Sequence, residues 1–129
     1  FKKIIKRFGV PCMVQEYKEN IIFGDKRVIL VDGNPVGAVN RIPKKGEFKA
    51  NLHLGGLAKK THLTNKEYEI CNSIKEILVK EQLFFVGIDI IDEKLTEINV
   101  TSPTGISQIN NLDKINIAEI LWDTLLNKK

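Results

Sequence analysis

Apolar positions recur at helical spacing in three segments of this chain. The clearest is "LTNKEYEICNSIKEILVKEQ", where Thr64 and Glu67 have the spacing of a capping box at the start of a helix. Its apolar positions are Tyr68, Cys71, Ile74 and Leu78. Residues 1–8 predict the end of an amphipathic helix, which Gly9 and Pro11 stop. A closing helix is predicted from about 115 to 126, with apolar positions at Ile117, Ile120, Leu121 and Leu125.

Shorter apolar runs predict β-strands. In "KRVILVDGNPVGAVNRI" they flank Asp32-Gly33-Asn34, which has the composition of a hairpin turn. The run "VGIDIIDEKLTEINV" predicts a second hairpin, and "CMVQEY" at 12–17 predicts a short strand. Residues 43–63 have no sustained period and predict a long loop. Loops of that length in a compact domain are usually functional or disordered.

Length and composition predict one soluble domain. The chain has 129 residues, of which 43% are hydrophobic, and its apolar runs are far shorter than the roughly 20 residues of a membrane helix. No signal peptide is recognisable, and the start at Phe1 suggests a piece of a longer protein. Cys12 and Cys71 are far apart and lack metal-ligand spacing, which predicts two buried, reduced thiols in a cytoplasmic protein.

Basic residues are concentrated in one stretch of this chain, whose net charge is +4. Between Arg41 and Lys60 the sequence carries six basic residues against Glu47 alone, and it includes Gly46, Gly55 and Gly56. Such a loop suits a phosphate or another small anion, although a merely solvated loop is equally consistent with the pattern. Nucleic-acid binding is disfavoured because Phe48 is the only aromatic residue there for base stacking.

Three oxygen-bearing side chains interrupt the second hairpin. If Asp92, Glu93 and Lys94 form the turn, Asp89 lies opposite Glu97, and Asn99 follows on the same face. Converging carboxylates and an amide suit Mg²⁺. The alternative is that each carboxylate pairs with a lysine on an exposed sheet face. A turn of two or four residues would move one acid to the other face.

Three longer stretches carry a family resemblance. "GDKRVILVDGNPVGAVNRIP", "ANLHLGG" and "FVGIDIIDEKLTEINVTSPTG" resemble the C-terminal part of prokaryotic glutathione synthetases, which are ATP-grasp ligases. The resemblance implies an α+β fold, mainly an antiparallel sheet flanked by helices, with residues 1–129 as the C-terminal portion of the ATP-grasp domain. It implies that γ-glutamylcysteine and glycine are joined to glutathione through an acyl phosphate. The upstream half of that domain and the domain before it would be absent, so the fragment alone is expected to be inactive.

The resemblance also implies ligands and site residues. ATP and Mg²⁺, or alternatively Mn²⁺, are the expected cofactors, with Asp89, Glu97 and Asn99 as metal ligands. Arg27 and Arg41 would engage phosphate or substrate carboxylate. The adenine would meet Gln15, Glu16, Tyr17 and Ile98. Peptide substrate would meet Lys49, Asn51, Gly55, Gly56, Thr101, Ser102 and Thr104.

Residues 42–57 match a mobile lid in the family, in which Lys49 stands where an arginine is expected. The complete protein is expected to be a cytoplasmic homo-oligomer that acts on small molecules and binds neither nucleic acid nor membranes. Another ATP-grasp ligase is the first alternative, against which "TSPT" argues, and a non-catalytic anion- or nucleic-acid-binding module is the second.

Overall fold

The structure, a computed structural model, describes residues 2–11, 14–44 and 56–128 of the chain. Its helices are α1 (Lys2–Phe8), α2 (Asn65–Lys80), α3 (Ile106–Asp113) and α4 (Ile117–Asn127), with a 3-10 helix at Glu19–Phe23. Its strands are β1 (Asp25–Val31), β2 (Asn34–Ile42), β3 (Leu57–Lys60), β4 (Phe85–Ile91) and β5 (Lys94–Asn99). These strands form one antiparallel sheet in the order β3-β2-β1-β4-β5. The expected α+β class, an antiparallel sheet flanked by helices, is confirmed.

Each face of the sheet has its own core, because successive residues of a strand point to opposite sides. One face packs against α2 through Val28, Leu30, Ala38, Val86, Ile88 and Ile90, together with Cys71 and Leu78. The other face packs against α3 and α4 through Ile29, Val39, Ile109 and Ile117. Burial raises the pKa of the Cys71 thiol to about 11, in keeping with an inert core residue. Cys12 lies outside the described residues.

The capping-box residues predicted the start of α2 correctly. The Thr64 hydroxyl accepts from the Glu67 backbone N–H at 3.3 Å, and the Glu67 carboxylate accepts from the Thr64 N–H at 2.8 Å. Lys26 donates to the same carboxylate at 2.5 Å, so the charge of Glu67, only 4% exposed, is paired. The predicted helix start is therefore confirmed, and it is tied to β1.

Two predictions about secondary structure were wrong, and one helix was missed. Residues 14–17 form no strand, because the side chain of Gln15 rather than a backbone ladder contacts β5. The predicted loop at 43–63 contains β3, a short edge strand that pairs with β2. Its residues are mostly exposed, so the chain gives no apolar alternation there. The helix α3, eight residues long, was not predicted. No helix within the described ranges is long and apolar enough to cross a membrane.

Candidate active site

The hairpin of β4 and β5 brings Asp89 and Glu97 face to face. They are direct partners in the ladder, and Asn99, the partner of Gly87, lies two residues further along the same face. The predicted register is correct, but the three-residue turn is not. The turn has two residues, Asp92 and Glu93, both with a φ of 53°.

An irregularity in β5 restores the register that the shorter turn would have changed. The ladder shifts between Asp89 and Ile90, so that Thr96 is an extra residue between the partners of these two. The Thr96 hydroxyl donates to the Asp89 carbonyl at 3.1 Å, within the bulge. Without this bulge, Glu97 would lie on the opposite face from Asp89.

Asp89 is paired with Arg27 and Arg41 in a buried charged network, and not with a lysine on an exposed sheet face. Arg27 donates to both of its carboxylate oxygens, at 2.5 Å from Nε and 2.9 Å from Nη2. Arg41 approaches the second oxygen at 2.9 Å and also donates to Asp25 at 2.5 Å, both through Nη2. Arg27 and Asp89 are only 4% and 5% exposed. Since both charges are paired and hydrogen-bonded, their burial is tolerated.

Asp25 is a member of this network that the sequence analysis missed. It is the direct partner of Arg41 across β1 and β2, and it lies two residues before Arg27 on the same face of β1. Burial raises the pKa of Asp25 to about 6, and the charge of Asp89 adds to this, while Arg41 opposes it. The spacing Asp25-x-Arg27 on a strand was the available signal, because residues two apart share a face.

The loop after β5 is held against the sheet by close packing. A Cβ on Gly87 would lie 2.6 Å from the Cβ of Pro103 and 3.1 Å from Nη1 of Arg27, so the glycine makes room for both. Arg27 also donates to the Thr104 carbonyl at 3.3 Å. At the start of the loop, the Asn99 side chain accepts from the Ser102 backbone N–H at 3.3 Å. Arg27 therefore joins the loop to Asp89.

The hydroxyl residues of this loop are exposed beside the charged network. Thr101, Ser102 and Thr104 are all exposed, whereas Pro103 between them is buried. The structure thus brings these three predicted substrate residues to the side of the sheet where Asn99 and Arg27 lie.

Metal binding can be judged from the oxygens that remain available. The described residues contain no group of three histidine, cysteine, aspartate or glutamate side chains arranged to hold a metal ion. The predicted set instead combines two carboxylates with an amide. Asp89 accepts two hydrogen bonds from Arg27 and has Nη2 of Arg41 within 2.9 Å, so at most two of its four lone pairs are left. Glu97 is exposed, and Asn99 has capacity left. A cation at this place would find its available oxygen donors on Glu97 and Asn99, with fewer on Asp89.

A cleft of about 640 Å³ lies beside the β4–β5 turn. The predicted adenine residues Gln15, Glu16 and Tyr17 line one side of it, and Leu95 and Thr96 line the other. The Gln15 amide donates to the Thr96 carbonyl at 3.2 Å, which ties the segment to the bulge. Glu16 is paired with Lys18 at 2.5 Å, and this hydrogen bond lowers its pKa.

Ile98 is 42% exposed on β5 and pairs with Ile88. The partner of Leu95 is Ile90, so Ile98 and Leu95 lie on the same face of the sheet, opposite to that of Glu97.

Of the predicted peptide-substrate contacts before β3, Lys49, Asn51 and Gly55 lie outside the described residues. Gly56, half-buried, directly precedes β3.

Comparison with known proteins gives one family. Residues 1–114 match the family described as prokaryotic glutathione synthetase, ATP-grasp domain. A glutathione synthetase of Agrobacterium fabrum is 43% identical over 133 aligned positions, which include the whole chain and 42% of the relative. A glutathione synthetase of Prochlorococcus marinus strain MIT 9313 is 50% identical over 117 residues, 91% of the chain and 38% of the relative. The chain therefore spans about two fifths of the length of these curated relatives.

Proposed function

The chain belongs to the prokaryotic glutathione synthetase family of ATP-grasp domains, and we propose that it forms part of an enzyme that joins γ-glutamylcysteine to glycine with ATP. The ATP γ-phosphate would pass to the substrate carboxylate, and the amine of glycine would then displace phosphate from the acyl phosphate. We further propose that residues 1–129 are one portion of the ATP-grasp domain. Activity belongs to a protein of the relatives' full length, of which this chain supplies about two fifths.

The observation that carries the proposal is the charge balance on one face of the sheet. Asp25, Asp89 and Glu97 supply three carboxylates, and Arg27 and Arg41 supply two guanidinium groups, at or beside one cluster. A divalent cation would change this balance from one net negative charge to one net positive charge. The cluster would then attract a polyphosphate, as phosphoryl transfer requires.

The metal ligands are proposed on the same basis. Glu97 and Asn99 would hold Mg²⁺, or alternatively Mn²⁺, and Asp89 would contribute a remaining lone pair or a bridging water. The ion would neutralise charge on the phosphates. Hard cations prefer oxygen donors, which is what these three side chains offer.

The two arginines are proposed to have different tasks. Arg27 is 4% exposed, and three of its five N–H groups already donate to Asp89 and the Thr104 carbonyl. It would therefore contribute positive charge and fix the loop after β5. Arg41 has a buried Nε without a partner among the described residues. Among the described residues only Nη2 of Arg41 donates a hydrogen bond, so Arg41 keeps more donors than Arg27 for the phosphate or the substrate carboxylate.

The remaining contacts follow from exposure and position. The exposed hydroxyls of Thr101, Ser102 and Thr104 would meet the peptide substrate, together with Lys49, Asn51, Gly55 and Gly56. The cleft beside Gln15, Glu16 and Tyr17 would receive the adenine, with Ile98 against the ring. We also propose a cytoplasmic, homo-oligomeric complete protein whose partners are small molecules rather than nucleic acid or membranes, on the support of the family alone.

The test uses a protein of the relatives' length that carries this chain. This is either the natural protein or the Agrobacterium fabrum relative with its matching segment exchanged for residues 1–129. It receives ATP, Mg²⁺, γ-glutamylcysteine and glycine, and the release of ADP and of glutathione is measured. We expect equal amounts of both products, and little turnover by the 129-residue chain alone. Release of ADP without glutathione would contradict the proposed reaction.

Glu97→Gln is the informative variant, with Glu93→Gln as the matched control on the same hairpin. Both changes remove one negative charge and keep the shape of the side chain. Glu93 lies in the turn and pairs with Thr64 and Lys66, away from the cluster. Glu97→Gln should lower kcat/KM by about 100-fold or more and require a higher Mg²⁺ concentration, while Glu93→Gln should keep the activity within about twofold. Equal turnover of the two variants at low Mg²⁺ would rule out Glu97 as a ligand.

A further inference from the structure

We propose that Asp25 is a positioning residue that holds the guanidinium of Arg41 in place against Asp89, an inference that rests on the proposed phosphoryl-transfer function. Asp25 would contact neither substrate nor metal. It would act through Arg41, by fixing where the free donor of that side chain is presented.

The contacts of Arg41 give the first reason. A single atom, Nη2, lies 2.5 Å from the Asp25 carboxylate and 2.9 Å from the Asp89 carboxylate. Two anchors on different strands fix the position of Nη2 more firmly than one, because a shift away from either carboxylate is opposed by that contact while the other limits sideways movement. Asp25 is the direct ladder partner of Arg41, and Asp89 that of Arg27. The rigid sheet thus sets the distance between the anchors.

The unsatisfied atoms give the second reason. Nε of Arg41 and Oδ1 of Asp25 are buried, and neither has a hydrogen-bond partner among the residues that the structure describes. A pair placed only for stability would be expected to satisfy these atoms, or to be replaced by hydrocarbon, since buried ion pairs are weak stabilisers. The pair therefore does not satisfy all of its own polar atoms, and the guanidinium of Arg41 keeps donors beyond Nη2 for a reactant anion.

Burial gives the third reason. The side chains of Asp25 and Arg41 are only 15% and 12% exposed, so water cannot easily replace either contact. Removing the carboxylate would leave Arg41 tied to Asp89 alone. The guanidinium could then turn toward Asp89 and away from the phosphoryl group, and misplacement by about 1 Å can cost about 100-fold in rate.

A merely structural role for Asp25 is the competing explanation, and Asp32→Asn is the matched control. Asp32 is also a carboxylate on the β1–β2 hairpin that pairs with a basic residue, Lys128, but it lies in the turn at the other end. Asparagine tolerates the positive φ of 48° at that position. Asp32→Asn therefore removes an ion pair of the same hairpin without touching the cluster.

The experiment measures kcat, KM and the melting temperature in the full-length protein described above. Asp25→Asn should lower kcat by about 10- to 100-fold, leave KM for glycine within about twofold, and keep the protein folded. Asp32→Asn should leave kcat unchanged. If Asp25→Asn does not fold, Asp25→Glu keeps the charge and displaces the carboxylate by one methylene, and the same fall in kcat is expected.

A double-mutant cycle separates positioning from stability. If Asp25 acts through Arg41, Asp25→Asn combined with Arg41→Lys should have the kcat of Arg41→Lys alone. Multiplicative losses, or an unchanged kcat in folded Asp25→Asn, would overturn the inference. These outcomes are distinct from failure of the proposed function, in which the unsubstituted protein itself makes no glutathione.

Discussion

Replacing Gly87 by alanine should disturb the loop after β5 and the Arg27 side chain that contacts it. The new Cβ would lie 2.6 Å from the Cβ of Pro103 and 3.1 Å from Nη1 of Arg27. Carbon atoms in contact are about 3.5–4.0 Å apart, so about 1 Å of overlap must be relieved. Pro103 is buried and its ring is rigid, so the backbone of the loop has to move.

The magnitude follows from two opposing effects. Overpacking of this kind costs about 1–3 kcal/mol. Alanine also reduces the conformational entropy of the unfolded chain, which offsets about 0.5–1 kcal/mol. The central values of the two effects, about 2 and about 0.75 kcal/mol, leave a net loss in the free energy of unfolding of about 1 kcal/mol. For a chain of this length that corresponds to a fall in Tm of about 4 °C.

Gly37→Ala is the matched control for this variant. It lies on the same face of the sheet, and its new Cβ would meet Ile109 at 2.6 Å and Ile117 at 3.2 Å, in the core under α3 and α4. Its stability loss should be similar. The two variants should differ in function, because only the change at Gly87 moves Arg27 and the loop that carries Thr104.

The assay therefore has two parts. Thermal unfolding of the 129-residue chain, followed by circular dichroism, gives the two stability losses. The Tm of each full-length variant is measured as well, and turnover is then assayed about 15 °C below the lower of these values, where both variants are folded. We expect a fall in kcat/KM for γ-glutamylcysteine of about 10-fold or more in Gly87→Ala and none in Gly37→Ala. A Tm of Gly87→Ala within about 1 °C of the parent, or equal loss of activity in both variants, would refute the coupling between this glycine, Arg27 and the loop.

Two further predictions concern the capping box and the pH dependence of stability. Thr64→Ala removes the cap of α2 and the hydrogen bond from Thr64 to Glu93. In a urea titration it should lower the free energy of unfolding by about 1 kcal/mol. Thr61→Ala, which lies outside the helix, is the control and should change that free energy by less than half as much. Burial raises the pKa of Asp25 from its ordinary 3.8 to about 6, so the folded state binds this proton more tightly and stability from this group is lost as pH rises from about 4 to about 6. The stability lost over this pH range amounts to about 3 kcal/mol. The free energy of unfolding of Asp25→Asn relative to that of the parent should therefore rise by up to that amount between pH 4 and 7. A stability difference between the two proteins that does not change with pH would contradict this prediction.

Local sequence signals determined the helices with strong caps and the first hairpin. The capping box of Thr64 and Glu67 and the turn at Asp32-Gly33 act between residues close in the chain, so they can be read from short segments. The pairing of Asp89 with Glu97 in the second hairpin was also predicted from a short segment, although from a turn of the wrong length. The expected turn was one residue too long, and the bulge at Thr96 compensated for it.

Tertiary structure alone decided β3 and the roles within the charged cluster. β3 forms because it can pair with the free edge of β2. Its own residues show no alternation of apolar and polar positions from which a strand could be predicted. Nothing near Asp25 in the chain indicates that it shares Arg41 with Asp89, because β1, β2 and β4 meet only in the folded sheet. Periodicity along each strand thus predicted which side chains share a face of the sheet. Their burial and their partners depend on contacts between distant segments. These contacts also decide which hydrogen-bond donors and acceptors remain free.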